Sequence, residues 1–280
     1  STPLYSSAAS DVYKRQIQNS ANYGDITGKD NVGNLIGEGV ICNLNNVLGT
    51  GNVTATSDTE RAGLLVGRIS KSSSAASGIL AYNSSAKLTI NGAEQTGEAV
   101  KAIGEGSLTY PEGVNEADVI KAFTKQQIKS GEVAYLLAEG KVLGEQVWGQ
   151  QLGKDQYPVP GSDYKVIKAA QGDKDANGNY TYWATFSNQT NDVTLSVPSE
   201  SGRTLNVYNA TVSGGKLTLT QRNNQVAKEE GVLLKTDGEY VNAKTNKTNE
   251  LTAASSDENH LVATPAEAQT CLLYTSDAAD

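Results

Sequence analysis

Methionine is absent from this 280-residue sequence, histidine occurs once, and cysteine, tryptophan and phenylalanine occur twice each. Each scarcity closes a chemical route. With His260 as the only imidazole, Ser–His and Cys–His nucleophile pairs and multi-histidine metal sites are shut, apart from any built on that residue. Cys42 and Cys271 are too few for a disulfide framework or a cysteine-rich metal site, and Cys42, with no histidine near it in sequence, reads as a small core residue. No apolar run approaches the roughly 20 residues that a membrane-spanning helix needs. The net charge is −8, with basic residues scattered, so neither nucleic acid nor an anionic membrane has an electrostatic footprint to bind. Nucleotide motifs are lacking too: Gly33-x-x-x-Gly37 and Gly63-x-x-x-Gly67 have no P-loop lysine and no following helix.

The two ends read as something other than protein. Asp11–Gln16 (DVYKRQ) is encodable by GAT GTG TAT AAG AGA CAG, and Cys271–Ser276 (CLLYTS) by TGT CTC TTA TAC ACA TCT. One string is the reverse complement of the other, offset by one base, and the match continues outward from Ser6–Ser10 to Asp277–Asp280. No folding constraint makes two peptide tails encode complementary DNA. The shared string resembles the transposase mosaic end and adapter used in sequencing-library preparation. Residues 1–16 and 271–280 are therefore expected to be translated adapter, disordered and outside the fold, with Ile17–Thr270 an internal piece of a longer protein. Without the tails, Cys42 is the only cysteine.

What is present is glycine and repetition. Glycine accounts for 28 residues, and over residues 17–97 many of them recur in phase. Ile17 and Asn19 align with Ile41 and Asn43, Gly24-Asp25-Ile26-Thr27 with Gly51-Asn52-Val53-Thr54, and Val32–Gly37 with Ala62–Gly67. The period is about thirty residues, which is the range of stacked β coils. Each unit holds two or three short apolar strands, too few to bury a face alone, so neighbours must stack. The glycines suit corners where a side chain would strike the adjacent coil. A degenerate third copy carries Gly78-Ile79-Leu80 and Lys87–Gly92. This region resembles the GLUG motif of bacterial surface and adhesin-like proteins, which implies a β-solenoid-like fold with further copies upstream.

Residues 98–162 are expected to be a helical linker. Asn115 can cap a helix running through Glu116, Val119, Ile120 and Phe123, and Thr124 with Gln127 offers a second start. Ser130 opens another apolar face over Val133, Tyr135, Leu136 and Leu137, and Gly140 stops it. Trp148 reads as a packing anchor, with stacking on a sugar ring as its rival role. The run from Ser130–Leu137 through Trp148-Gly149-Gln150, Leu152-Gly153 and Asp155 to Tyr157-Pro158-Val159 resembles a segment of large surface proteins of gut anaerobes. There it lies between glycine-rich repeats and a terminal β-sandwich.

Residues 163–270 turn to longer alternating strands. These are Tyr164–Ile167, Tyr180–Phe186, Val193–Val197, Leu205–Tyr208, Leu217–Thr220, Gly231–Lys235 and Glu239–Val241, with a hairpin at Gly214-Gly215 and a turn at Asp237-Gly238. The pattern suggests an antiparallel β-sandwich. The YWATF, GVLLK and HLVAT segments resemble the terminal sandwich of the same surface-protein class, and the resemblance implies that this one is incomplete. Asp173–Asn179 has the opening of a calcium loop, but Ala184 stands where the bidentate glutamate belongs and a strand follows. A hairpin loop of turn formers explains it as well, and calcium is not expected to be needed for folding. His260 sits beside a polar turn and reads as a surface residue. Glu229-Glu230 are adjacent in sequence, which is not the facing geometry of a glycosidase pair.

The expectation is a mainly β protein with GLUG repeats, a helical linker and a truncated sandwich. It is read as secreted, exposed at the cell surface and non-enzymatic, with an adhesion, interaction or scaffolding role toward a surface glycan or protein. No catalytic residue, cofactor or metal site is assigned. The rival is an accessory, glycan-binding module of a larger secreted glycan-degrading enzyme.

Overall fold

The computed structural model describes residues 15–58, 60–71, 73–140, 147–198, 202–261 and 263. Among the described residues the protein is mainly β, with three short α-helices among several open sheets. It forms two compact units that divide between Lys125 and Gln126.

In the N-terminal unit the chain makes repeated passes. The first holds β1 (Arg15–Asn22), β2 (Ile26–Gly28), β3 (Val32–Gly33) and β4 (Ile36–Gly39). The second holds β5 (Cys42–Gly49), β6 (Val53–Ala55), β7 (Ala62–Gly63) and β8 (Val66–Ile69). The third holds β9 (Ala75–Asn83), β10 (Leu88–Ile90), β11 (Ala93–Glu94) and β12 (Ile103–Glu105), after which helix α1 (Glu116–Val119) leads into β13 (Ile120–Phe123). Strands pair in parallel with their counterparts one pass later, in the orders β1-β5-β9-β13, β2-β6-β10, β3-β7 and β4-β8-β12. Among the described strands of this unit, β11 alone breaks the pattern, lying antiparallel to β10.

The register follows the sequence repeat at most positions. Ile26 faces Val53, Gly33 faces Gly63 and Ile36 faces Val66. In β1 it shifts by three residues, so that Ile17 faces Leu44 instead of Ile41. Leu44 is buried in the core cluster against which Ile17 packs, whereas Ile41 is only half-buried. Apolar contact, not sequence likeness, decides the pairing. Arg15 and Gln16, expected outside the fold, extend β1 opposite Cys42 and Asn43; a backbone ladder does not require particular side chains to continue. The rest of the expected adapter, residues 1–14 and 271–280, lies outside the described residues.

A second correction concerns the helix expected at 116–123. Asn115 opens it, with its N–H donating to Asp118 Oδ2 at 3.1 Å. It ends at Val119, and Ile120–Phe123 pairs instead with Leu80–Asn83 of β9. Along an otherwise open edge, strand pairing satisfies the backbone groups of both segments, which a short helix would leave unmet on β9.

Glycine is obligatory where passes meet. A Cβ placed on Gly63 would lie 2.6 Å from Gly104 N and 2.7 Å from Ala102 O, both rigid backbone atoms. Gly92 has open space around it and a φ of +80°, so a side chain there meets only local strain. Gly63→Ala is expected to lower the stability of the N-terminal unit by roughly 3 kcal/mol, against about 1 kcal/mol for Gly92→Ala. Urea unfolding of the two variants measures the difference, and equal losses would show that the backbone contact is not limiting.

The expected linker is divided between the units. Helix α2 (Lys125–Ser130) spans the division and α3 (Glu132–Leu137) follows it. Ser130 Oγ accepts the Glu132 N–H at 3.3 Å. At the other end, Gly140 N–H reaches Tyr135 O and Glu139 N–H reaches Leu136 O, both at 2.9 Å, with Glu139 and Gly140 both left-handed. This is the paired bonding of a Schellman stop. Strands β14 (Trp148–Gly149) and β15 (Val159–Pro160) pair antiparallel. The segment packs as core: Val133, Ala134, Leu137 and Trp148 are buried, and Ala134 and Leu152 join Val166 and Tyr240 in one cluster.

Next come β16 (Tyr164–Lys168), β17 (Ala170–Lys174), β18 (Tyr180–Ser187), β19 (Val193–Ser196) and β20 (Leu205–Ser213). They are followed by β21 (Lys216–Arg222), β22 (Gln225–Val226), β23 (Gly231–Thr236) and β24 (Tyr240–Thr245). They form two antiparallel sheets, β16-β24-β19-β22 and β17-β18-β23-β20-β21. One cluster joins both sheets, with Ile167, Leu195 and Val241 from the first and Phe186, Val207 and Leu234 from the second. Gly214 and Gly215, at φ 56° and 76°, close the β20–β21 hairpin as expected. Asp237-Gly238 instead carries the chain from one sheet to the other. In the HLVAT segment, His260, Leu261 and Ala263 are described and lie outside any strand.

Candidate functional site

The outer face of the five-stranded sheet gathers the side chains best suited to contact a ligand. Alternation fixes which side chains these are. Phe186 and Ala184 of β18, Val232 and Leu234 of β23, and Val207 and Leu205 of β20 belong to the core. Their neighbours Trp183, Thr185, Leu233, Lys235, Asn206 and Tyr208 therefore point the other way. Register arranges them in two rows: Trp183–Lys235–Asn206, and Thr185–Leu233–Tyr208–Gln221.

Trp183 and Tyr208 stand two strands apart, yet their rings lean over β23 to a centroid separation of 6.4 Å at 30°. Lys235 Nζ lies 5.2 Å from the Trp183 ring centre, within range of a cation–π attraction. Gln221 Nε2 donates to Asn206 Oδ1 at 3.0 Å. Gly172 supplies the room at the rim: a Cβ there would come within 2.9 Å of Trp183 Cδ1. Thr185 and Gln221 are exposed and the remaining members half-buried. Aromatic π-faces beside amide, hydroxyl and ammonium groups match a ligand with an apolar face and a polar rim. The pairing with Tyr208 could not be read from sequence, because it depends on the strand order.

The other candidates take structural positions. Trp148 is 1% exposed and so is unable to stack on a sugar. Cys42 is buried, its N–H donates to Ser74 Oγ, and burial pushes its thiol pKa up against the smaller opposing effect of Ser74. A raised pKa disfavours the reactive thiolate. His260 is exposed; its Nδ1 accepts the Val212 N–H at 2.9 Å and its backbone N–H donates to Ala210 O at 2.7 Å. The Asp173–Asn179 loop is an Asx-type turn, in which Asp175 Oδ1 accepts the N–H groups of Asn177 and Asn179, each at 2.9 Å. Among the described residues, no group of three or more His, Cys, Asp or Glu converges as metal ligands. Glu229 is exposed, while its neighbour Glu230 is buried against Arg222 and accepts the N–H groups of Ala227 and Ala254.

Sequence reasoning missed a buried carboxylate held by three backbone donors. Asp192 is 1% exposed and accepts the N–H groups of Lys228 at 2.8 Å, Glu250 at 2.6 Å and Leu251 at 2.7 Å. Burial acts to raise its pKa, but the backbone donors of Leu251, Lys228 and Glu250 outweigh burial and hold it below the usual carboxylate range. No local signal marks it, since its donors come from two distant segments.

A depressed folded-state pKa means stabilisation that is full at neutral pH and lost as pH falls from the ordinary carboxylate range through the folded value. Asp192→Asn is therefore expected to cost about 2 kcal/mol at pH 7 and to flatten the acid side of the stability–pH profile, as followed by urea midpoints. An unchanged acid slope would remove Asp192 as its source.

No protein-family model matches the chain, and neither a curated protein nor a solved structure matches it.

Proposed function

We propose that the chain is a non-enzymatic protein of the bacterial cell exterior, with an adhesion, interaction or scaffolding role. In this reading the N-terminal unit is a β-solenoid of GLUG-like repeats and the C-terminal unit an antiparallel β-sandwich that displays a recognition face. The observation that carries it is the division of labour among side chains. Asp192, Glu230, Cys42 and His260 are engaged by backbone or buried, while Trp183, Tyr208, Asn206 and Gln221 line one outer face. No helix among the described residues is long and apolar enough to cross a membrane.

The same face favours a second reading, an accessory glycan-binding module of a larger secreted glycan-degrading enzyme. The C–H groups on one side of a pyranose ring pack against π-faces, and its hydroxyls match the amides beside them. Screening on a glycan array with a panel of chromogenic glycosides tests both readings. Binding to one glycan class is expected to weaken about tenfold or more in Trp183→Ala with the fold intact, and no glycoside is expected to turn over. Trp148→Ala should instead destabilise the C-terminal unit by about 3–5 kcal/mol. Turnover abolished by a single Asp or Glu substitution would defeat the non-enzyme reading.

A further inference from the structure

The outer face of the five-stranded sheet carries very little charge, in a chain whose net charge is −8. Along β18, β23, β20 and β21, alternate residues in phase with Trp183 point to this face. Lys235 is the one charged residue among them. It is half-buried, and among the described residues its ammonium meets no carboxylate and no hydrogen-bond acceptor; its contact is the Trp183 ring, 5.2 Å away. Lys168 shows the more complete arrangement: 6.0 Å from the Tyr135 ring centre, it also has Glu239 Oε1 at 3.1 Å. The acid closest to Lys235 in sequence, Asp237, is held by Arg203 Nε at 3.4 Å and the Thr204 N–H at 2.9 Å. An ammonium partly out of water without a counter-ion costs free energy that one aromatic ring offsets only in part. The site therefore favours a ligand that brings the anion.

The neighbours describe the rest of that ligand. β18, β23 and β20 are internal strands, so a peptide finds no open edge beside Lys235 to which it could add as a strand. Recognition falls to side chains. The bond from Gln221 Nε2 to Asn206 Oδ1 leaves Gln221 Oε1 as an acceptor and Asn206 Nδ2 as a donor for hydroxyls. The Trp183 and Tyr208 rings offer π-faces to C–H groups. A ring that combines C–H faces, hydroxyls and a carboxylate is a uronic acid.

We infer that this face binds a glycan containing uronic acid, with the sugar carboxylate on Lys235 and its hydroxyls on Asn206 and Gln221. The inference rests on the glycan-binding reading of the same face and adds the charge of the ligand. The acidic character of the whole chain does not oppose it, because the Debye length is about 8 Å at physiological salt and the local ammonium dominates.

The test titrates the full chain with oligogalacturonate, alginate and hyaluronan oligomers, and with the carboxyl-reduced form of each, which keeps the sugar rings and loses the charge. At least one acidic chain is expected to bind about tenfold or more tighter than its reduced form. Lys235→Gln should bring the acidic form down to the affinity of the reduced one, and Lys235→Arg should keep the preference. Trp183→Ala should weaken both forms, with thermal melting showing each variant folded. Equal affinity for acidic and reduced forms, or a preference that survives Lys235→Gln, overturns the inference and leaves the glycan-binding reading standing. Binding to none of these chains overturns it as well, and neutral glycans on the array then decide the broader reading separately. Poly-glutamate bound as tightly as the uronates overturns it in favour of an acidic protein partner.

Discussion

The N-terminal unit depends on backbones approaching each other where a side chain would not fit. At Gly63 the neighbours of an added Cβ are the Gly104 nitrogen and the Ala102 oxygen, and at Gly67 the Val32 nitrogen stands 2.5 Å away. That close approach lets β3, β7 and the neighbouring short strands stack in register although several are only two or three residues long. Such strands bury little individually. Stacked, they bring Leu44, Val47, Leu65, Val66 and Leu80 into one continuous core. The spacing between partners widens along the chain, from Ile26–Val53 to Leu80–Ile120, without loss of pairing. Loops absorb the extra residues because lengthening a closed loop costs little.

The C-terminal unit adds polar pins to its apolar core. Asn242, buried in β24, accepts the Leu152 N–H at 2.7 Å and donates to Gln150 O at 2.7 Å and Lys165 O at 3.2 Å. One amide thus holds the Trp148-bearing segment to the sheet as a strand partner would. Asp192 and Glu230 do the same for residues 250–254. Loops with few apolar side chains need such anchors, since they have little hydrophobic area with which to offset the entropy of being ordered.

These pins bear on function. A buried carboxylate in a cleft invites a catalytic reading, but Asp192 already accepts three backbone donors and Glu230 is bound to Arg222 and two more. The outer sheet face has the opposite character, with half-buried rings, an ammonium group and an amide pair that retain unused hydrogen-bonding capacity. The recognition role proposed for this face would draw on that unused capacity.

Much of the local architecture was legible in the residues. Glycines in phase at 33, 37, 63 and 67 marked equivalent positions of successive passes, although they lie within β3, β4, β7 and β8 and not at corners as expected; alternation in Tyr180–Phe186 and Gly231–Lys235 placed two central strands. Ser130 and the left-handed stop at Gly140 marked the ends of α3. These signals are local, set by φ/ψ limits and by side-chain period. Tertiary structure decided what depends on distant partners. Ile120–Phe123 carries a helical spacing and becomes a strand because the edge of β9 offers it hydrogen bonds. β17 and β22, with sequences AQGDK and QV, have almost no apolar pattern and are strands only because β18 and β19 lie beside them. Trp183 could be named from sequence as an aromatic on a strand. Its partner Tyr208 could not, because the order β18-β23-β20 that brings the two rings together is a property of the sheet and not of either segment.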